Sequence, residues 1–147
     1  MRIRPSGPAD GERVVEIWRS AVDATHDFLS PSDLAGIDAQ VREFLPKAPL
    51  LLAIDREDRI VSFMGMTGHH VDALFIDPVL RGGGIGRLMI DHAASLHASL
   101  TVDVNEQNAQ AVGFYERMGF VRTGRSPTDD QGRPYPLIHM RLGVSGA

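Results

Sequence analysis

Four glycines in five positions, Gly82, Gly83, Gly84 and Gly86, stand between an apolar run ending at Ile76 and an amphipathic stretch beginning near Gly84. Glycine lets a backbone take positive φ and approach a ligand with no Cβ in the way. The start of a helix leaves several N–H groups without intrahelical partners and carries about half a positive charge. A glycine turn leading into a helix is therefore suited to hold phosphate on main-chain amides. Arg81 and Arg87 add charge at its rim. A triphosphate-binding loop needs Gly-Lys-Ser/Thr, whereas Gly86-Arg87-Leu88 stands here. A dinucleotide fingerprint needs a third glycine, and that position is Met89. On the glycines alone, a surface turn with no ligand stays open. The chain has six histidines and no cysteine. That excludes disulfides, thiolate metal sites and a cysteine nucleophile. The adjacent pair His69-His70 points to opposite faces if it lies in a strand, so no metal site is expected.

The elements that must position this turn follow from periodicity. Ile3 to Pro5 reads as a first strand, and Pro8-Ala9-Asp10 as the entry to a helix carrying Val14, Val15, Ile17, Trp18, Ala21 and Val22 at helical spacing. A second helix starts near Pro31 and stops before Pro46. Leu50–Ile54 and Ile60–Met66 form a hairpin, and Val71–Ile76 is a strand. A helix over 84–97, a strand over 100–104 and a helix over 109–118 follow, the last with Gly119 past its end. Two closing strands are expected at 120–124 and 137–142. The order β-α-α-β-β-β-α-β-α-β-β implies a mixed α/β (α+β) fold with a central sheet covered by helices.

A length of 147 residues fits one domain, 1–147. With 15 Lys+Arg against 19 Asp+Glu, a nucleic-acid partner is not expected. No membrane partner is expected either, since no apolar run approaches a span of about 20 residues. The N-terminus lacks a signal-like stretch, and a cytoplasmic location is expected. Eight acidic and four basic residues fall between Ala9 and Lys47. They read either as solvated helix faces or as a wall that attracts a cationic substrate.

Arg81-x-x-Gly84-x-Gly86, after a strand ending Ile76-x-Pro78, resembles the acyl-CoA-binding motif Gln/Arg-x-x-Gly-x-Gly/Ala of the GNAT superfamily of N-acetyltransferases. Downstream, Asn108-Ala109-Gln110-Ala111-Val112-Gly113-Phe114-Tyr115-Glu116-Arg117-Met118-Gly119-Phe120 resembles that family's Asn-x-x-Ala-x-x-Phe-Tyr-x-x-x-Gly-Phe helix. Ser20–Leu29 and Gly124-Arg125-Ser126 are similar to a small bacterial single-domain type. The resemblance implies a mostly antiparallel sheet of about seven strands with about four helices. It also implies acetyl-CoA as cosubstrate and an amine as acceptor. The backbone of Leu74, Phe75 and Ile76 would pair with the pantetheine arm. Amides from Gly82, Gly83, Gly84, Ile85, Gly86 and Arg87 would hold the pyrophosphate, with Arg81 beside them. Asn108 would reach the pantetheine or order the wall next to it, and Tyr115 would face the thioester sulfur.

Acetyl transfer needs a neutral amine, a donor to the carbonyl oxygen and a proton for the departing thiolate. Holding a lysine-like amine neutral at pH 7 costs roughly 4.6 kcal/mol. Tyr115 is the expected acid. Asp103 is a candidate base, sharing a strand face with Thr101 and Asn105 while Val102 and Val104 point away. His26 is a rival base, and so is whichever of His69 and His70 faces the cleft. His139 is expected to be packed or hydrogen-bonded. Trp18 and Phe28 are expected to shape the acceptor pocket, in a monomer or homodimer. An alternative is a non-catalytic acyl-CoA sensor, and a second is a mononucleotide-binding regulator.

Overall fold

The computed structural model describes residues 1–25, 28–80 and 82–143. Seven strands form one sheet in the order β1-β2-β3-β4-β5-β7-β6. They are β1 (Arg2–Pro5), β2 (Leu50–Ile54), β3 (Ile60–Thr67), β4 (His70–Ile76), β5 (Ser99–Asn105), β6 (Val121–Ser126) and β7 (Leu137–Gly143). Four α-helices accompany them among the described residues: α1 (Gly11–Thr25), α2 (Pro31–Phe44), α3 (Ile85–Leu96) and α4 (Ala109–Arg117). The mixed α/β class, the strand number and the helix number expected from the sequence are those observed. Each expected element is present, with its ends displaced by one or two residues.

The chain divides into two compact units. The first comprises Met1–Gly65 and Ala73–Met89, the second residues 66–72 and the chain from Ile90 onward. In the first unit the apolar stripe of α1 supplies Val14, Ile17, Trp18 and Val22 to a core shared with Leu50, Leu52, Ile54, Ile60 and Phe63. Positions spaced by three and four residues share one helix face, which is why the stripe closes on the sheet. β3 is buried from Ile60 through Gly65. A strand covered on both faces reads as a continuous apolar run rather than an alternation. Phe63 is fully enclosed, so Phe63→Ala would cost about 3–5 kcal/mol. Trp18, at 5 % exposure, is part of this core. Three of the acidic residues of α1 and α2 are held in ion pairs: Arg19 holds Asp23 and Asp38, Arg42 holds Asp38, and Arg13 holds Glu16.

In the second unit β5 pairs antiparallel with β7 from Ser99↔Gly143 to Asn105↔Leu137. Leu100, Val102 and Val104 turn inward, and Val112, Tyr115, Phe120, Ile138 and Met140 are buried with them. The intervening Thr101, Asp103 and Asn105 point the other way, as alternation requires. β6 pairs with β7 through a bulge between Arg122 and Gly124.

Candidate active site

The glycine turn is built in the first unit. Asp77 closes β4: its N–H donates to the Val61 carbonyl at 2.9 Å, and its carboxylate accepts from Arg13 Nη2 at 2.9 Å and from the Val79 N–H at 3.2 Å. Arg13 also donates to the Ile60 carbonyl at 3.0 Å, tying α1 to the strand end that feeds the turn. A 3-10 turn at Pro78–Leu80 follows, with the Leu80 N–H on the Asp77 carbonyl at 2.9 Å. Gly82 and Gly84 have φ of 82° and 83°, and a Cβ at either would meet open space. Glycine stands there for its backbone conformation, not for want of room. The Gly83 N–H is turned back onto the Leu80 carbonyl at 3.3 Å. The first helical bond of α3 runs from the Leu88 N–H to the Gly84 carbonyl at 3.0 Å. The amides of Ile85, Gly86 and Arg87 precede that donor, so the ladder leaves them open. Arg81 lies outside the described residues.

β4 itself is polarised. Both the Phe75 carbonyl, which accepts the Ser62 hydroxyl at 2.8 Å, and the Asp77 N–H are directed to β3. Main-chain groups alternate sides along a strand, so those of Leu74 and Ile76 face the opposite edge. The Phe75 ring stacks on Phe63 with centroids 5.5 Å apart. The parallel β4–β5 ladder consists of His70↔Thr101 and Val71↔Val102.

The remaining candidates belong to the second unit. Asn108 caps α4: its Oδ1 accepts the Ala111 N–H at 3.1 Å, leaving its amide nitrogen for any other partner. Tyr115 follows two turns later, its ring buried edge-on between Phe114 and Phe120, with both centroids at 5.1 Å. Burial raises the phenol's pKa, which keeps it protonated at neutral pH. Its hydroxyl is not among the enclosed polar atoms that lack a partner.

Asp103 is bracketed by two imidazoles. Its Oδ1 lies 2.6 Å from His139 Nδ1 and its Oδ2 3.4 Å from His70 Nε2. The network continues outward at both ends, with His139 Nε2 at 2.7 Å from Ser126 Oγ and His70 Nδ1 at 2.7 Å from Thr101 Oγ1. His69, in the turn before β4, has its Nδ1 at 3.3 Å from Ser99 Oγ. His139 is hydrogen-bonded as expected. Sequence reasoning placed Asp103 on this face but missed its link through His139 to Ser126. The apolar Ile138 and Met140 flanking His139 signal which way it faces, but not which strand it meets. His26 falls outside the described residues. Among the described residues no group of three or more His, Asp or Glu could hold a metal.

A family model described as an acetyltransferase (GNAT) domain matches residues 24–143. The chain belongs to the GNAT acetyltransferase family. This GNAT chain is 54% identical over 140 residues to the peptidyl-lysine N-acetyltransferase YjaB of Salmonella typhimurium, covering 95% of this chain and 97% of that one. The solution structure of the apo form of YjaB from Escherichia coli superposes with a TM-score of 0.92 at 51% identity, over 97% of this chain and 98% of the other. A more distant fold neighbour is YncA of Salmonella typhimurium, an acetyltransferase solved with its cofactor acetyl-CoA. It has a TM-score of 0.62 and 20% identity, over 99% and 94% of the two chains. The GNAT resemblance read from the two motifs is thereby confirmed. The protein is an N-acetyltransferase that moves an acetyl group to an amine, and the sensor alternative is not favoured. No helix among the described residues is long and apolar enough to cross a membrane.

Proposed function

We propose that residues 1–147 act as one acetyltransferase domain that acetylates the ε-amine of lysine in a protein or peptide, with acetyl-CoA as donor. The observation that carries this reading is the 54% identity, across nearly the whole of both chains, to an enzyme named for peptidyl-lysine acetylation. The site chemistry agrees with it. Leu74 and Ile76 offer unpaired strand-edge groups to the amides of a pantetheine arm. The open amides of Ile85, Gly86 and Arg87, with Gly82 and Gly84 shaping the turn, suit a pyrophosphate. Asn108 orders the first turn of the helix that carries Tyr115.

The reaction proceeds by direct attack, with no acyl-enzyme. The lysine nitrogen forms the new N–C bond as the C–S bond breaks, and one proton leaves the nitrogen while one is due at the sulfur. A thiol has a reference pKa near 8.5, below that of the buried phenol, so complete transfer from Tyr115 is uphill. Tyr115 donates a hydrogen bond to the sulfur as charge grows there, and the proton shed by the amine balances the account. Asp103 is the base we assign to the amine, with His26 as its rival. The protein would work in the cytoplasm as a monomer or homodimer.

The test is acetyl transfer from acetyl-CoA to a lysine-containing peptide, followed by thiol release and by the mass of the product. Side-chain acetylation that disappears when the lysine amine is blocked is the expected result. Thiol release with small free amines alone overturns the lysine assignment.

A further inference from the structure

The Ser126–His139–Asp103 arrangement exceeds what amine acetylation requires. Three strands bring it together: Asp103 on β5 lies directly opposite His139 on β7, and His139 is opposite Gly124, two residues before Ser126 on β6. An ionised carboxylate only accepts hydrogen bonds. With Asp103 Oδ1 at 2.6 Å, the His139 ring therefore carries its proton on Nδ1 and presents a bare Nε2. Nε2 in turn, 2.7 Å from Ser126 Oγ, takes the hydroxyl proton. The serine oxygen is thus the acceptor end of an oriented chain, the relation among nucleophile, base and orienting acid by which hydrolytic triads are recognised whatever the fold. The groups are reachable, since the His139 and Asp103 side chains are 33% and 31% exposed and Ser126 is half-buried. Gly124 stands beside the imidazole, where a Cβ would lie 3.4 Å from the ring's Cδ2, so this edge of the ring is left uncovered. β6 is the last strand of the sheet and its bulge takes Thr123 out of register, so unpaired main-chain amides lie along the strand that carries Ser126. Such amides are the usual donors to an oxyanion.

We propose that Ser126, His139 and Asp103 form a second acyl-transfer site, one that hydrolyses activated esters through an acyl-serine. Ser126 Oγ forms a bond to the ester carbonyl carbon while the bond to the alcohol oxygen breaks. The hydroxyl proton passes to His139 Nε2 and on to the departing alkoxide. Water then forms a bond to the same carbon and gives its proton to His139. The Ser126 Oγ–C bond breaks, the serine regains a proton, and acid and alcohol are the net products. Asp103 does not touch the ester; it fixes the tautomer of His139.

The experiment uses the full chain with p-nitrophenyl acetate and no coenzyme, which separates it from the lysine reaction. Wild type should release nitrophenol above the buffer rate, and acid quenching should trap an acetyl group on Ser126. Ser126→Ala and His139→Gln should fall to the buffer rate, while Ser126→Ala keeps acetyl transfer to a lysine peptide. Hydrolysis that survives Ser126→Ala is imidazole acting alone and overturns the proposal, as does wild-type hydrolysis at the buffer rate. Should Ser126→Ala lose both activities, Ser126→Thr decides: hydrolysis recovered with the hydroxyl supports the site, and none overturns it.

Discussion

The glycine turn of the first unit and the polar face of the second recognise chemistry in different ways. The turn offers main-chain amides, aimed by two positive-φ glycines and by the Arg13–Asp77 anchor. The face offers side chains: Ser126, His139 and Asp103 in a hydrogen-bonded line, and His70, bonded to Thr101, within 3.4 Å of Asp103. A main-chain site has no titrating group of its own and is damaged by changes of backbone conformation. A side-chain site depends on protonation and is damaged by changes of chemistry that leave the backbone alone. Coenzyme affinity and turnover should therefore respond to separate sets of substitutions.

The largest effects expected come from side chains of the second unit. Tyr115→Phe should lower kcat by roughly 10²–10³-fold, the usual range for losing a donor to charge that develops in the transition state, with CoA binding by calorimetry unchanged. A loss of CoA affinity equal to the loss of rate would make Tyr115 a packing residue and blur the division. Asp103→Asn should lower kcat for lysine acetylation by about 10²-fold, again with CoA binding intact. Full activity in this variant would remove Asp103 from the base role and leave it to His26.

Gly84→Val tests the turn. Forcing a branched residue to φ of 83° costs about 1–2 kcal/mol, so CoA should bind roughly 5–30-fold more weakly, while kcat at saturating coenzyme changes little. An unchanged Kd would mean that the conformation of the turn does not matter to the coenzyme.

The smallest effect concerns the framework of the first unit. Asp10 accepts both nitrogens of the Arg4 guanidinium at 3.0 Å and the Gly7 N–H at 2.7 Å. The Arg4 hydrogen bond, with help from the Gly7 amide, holds its carboxyl below the ordinary value of 3.8. A depressed folded pKa contributes stability that is complete above about pH 4 and is lost as pH falls through the folded value. Asp10→Asn should cost about 1 kcal/mol, or about 3 °C in Tm, at pH 7. The gap between variant and wild-type melting curves should close as the pH drops below 4. A gap that stays constant to low pH would show that the contribution is not electrostatic.

The turn and the Asn108–Phe120 helix were legible because each is a contiguous segment. Gly82 and Gly84 are required locally by positive φ, and Asn108 is required locally by the free amide of Ala111. Trp18 was legible only as part of an apolar stripe, since the stripe does not say that it meets Phe63 and Leu52. Phe75 was only half legible: its place in β4 was readable, but its carbonyl's commitment to Ser62 depends on the neighbouring strand.

What the sequence determined by itself is the order of elements, the glycine turn and the family, since these rest on periods, caps and spacings within one stretch of chain. What only the tertiary structure decided is which side chains meet. Asp103 finds His139 36 residues away, and His139 finds Ser126 13 residues back. Those encounters are set by strand register, and a slip of one residue would turn each of them to the opposite face of the sheet.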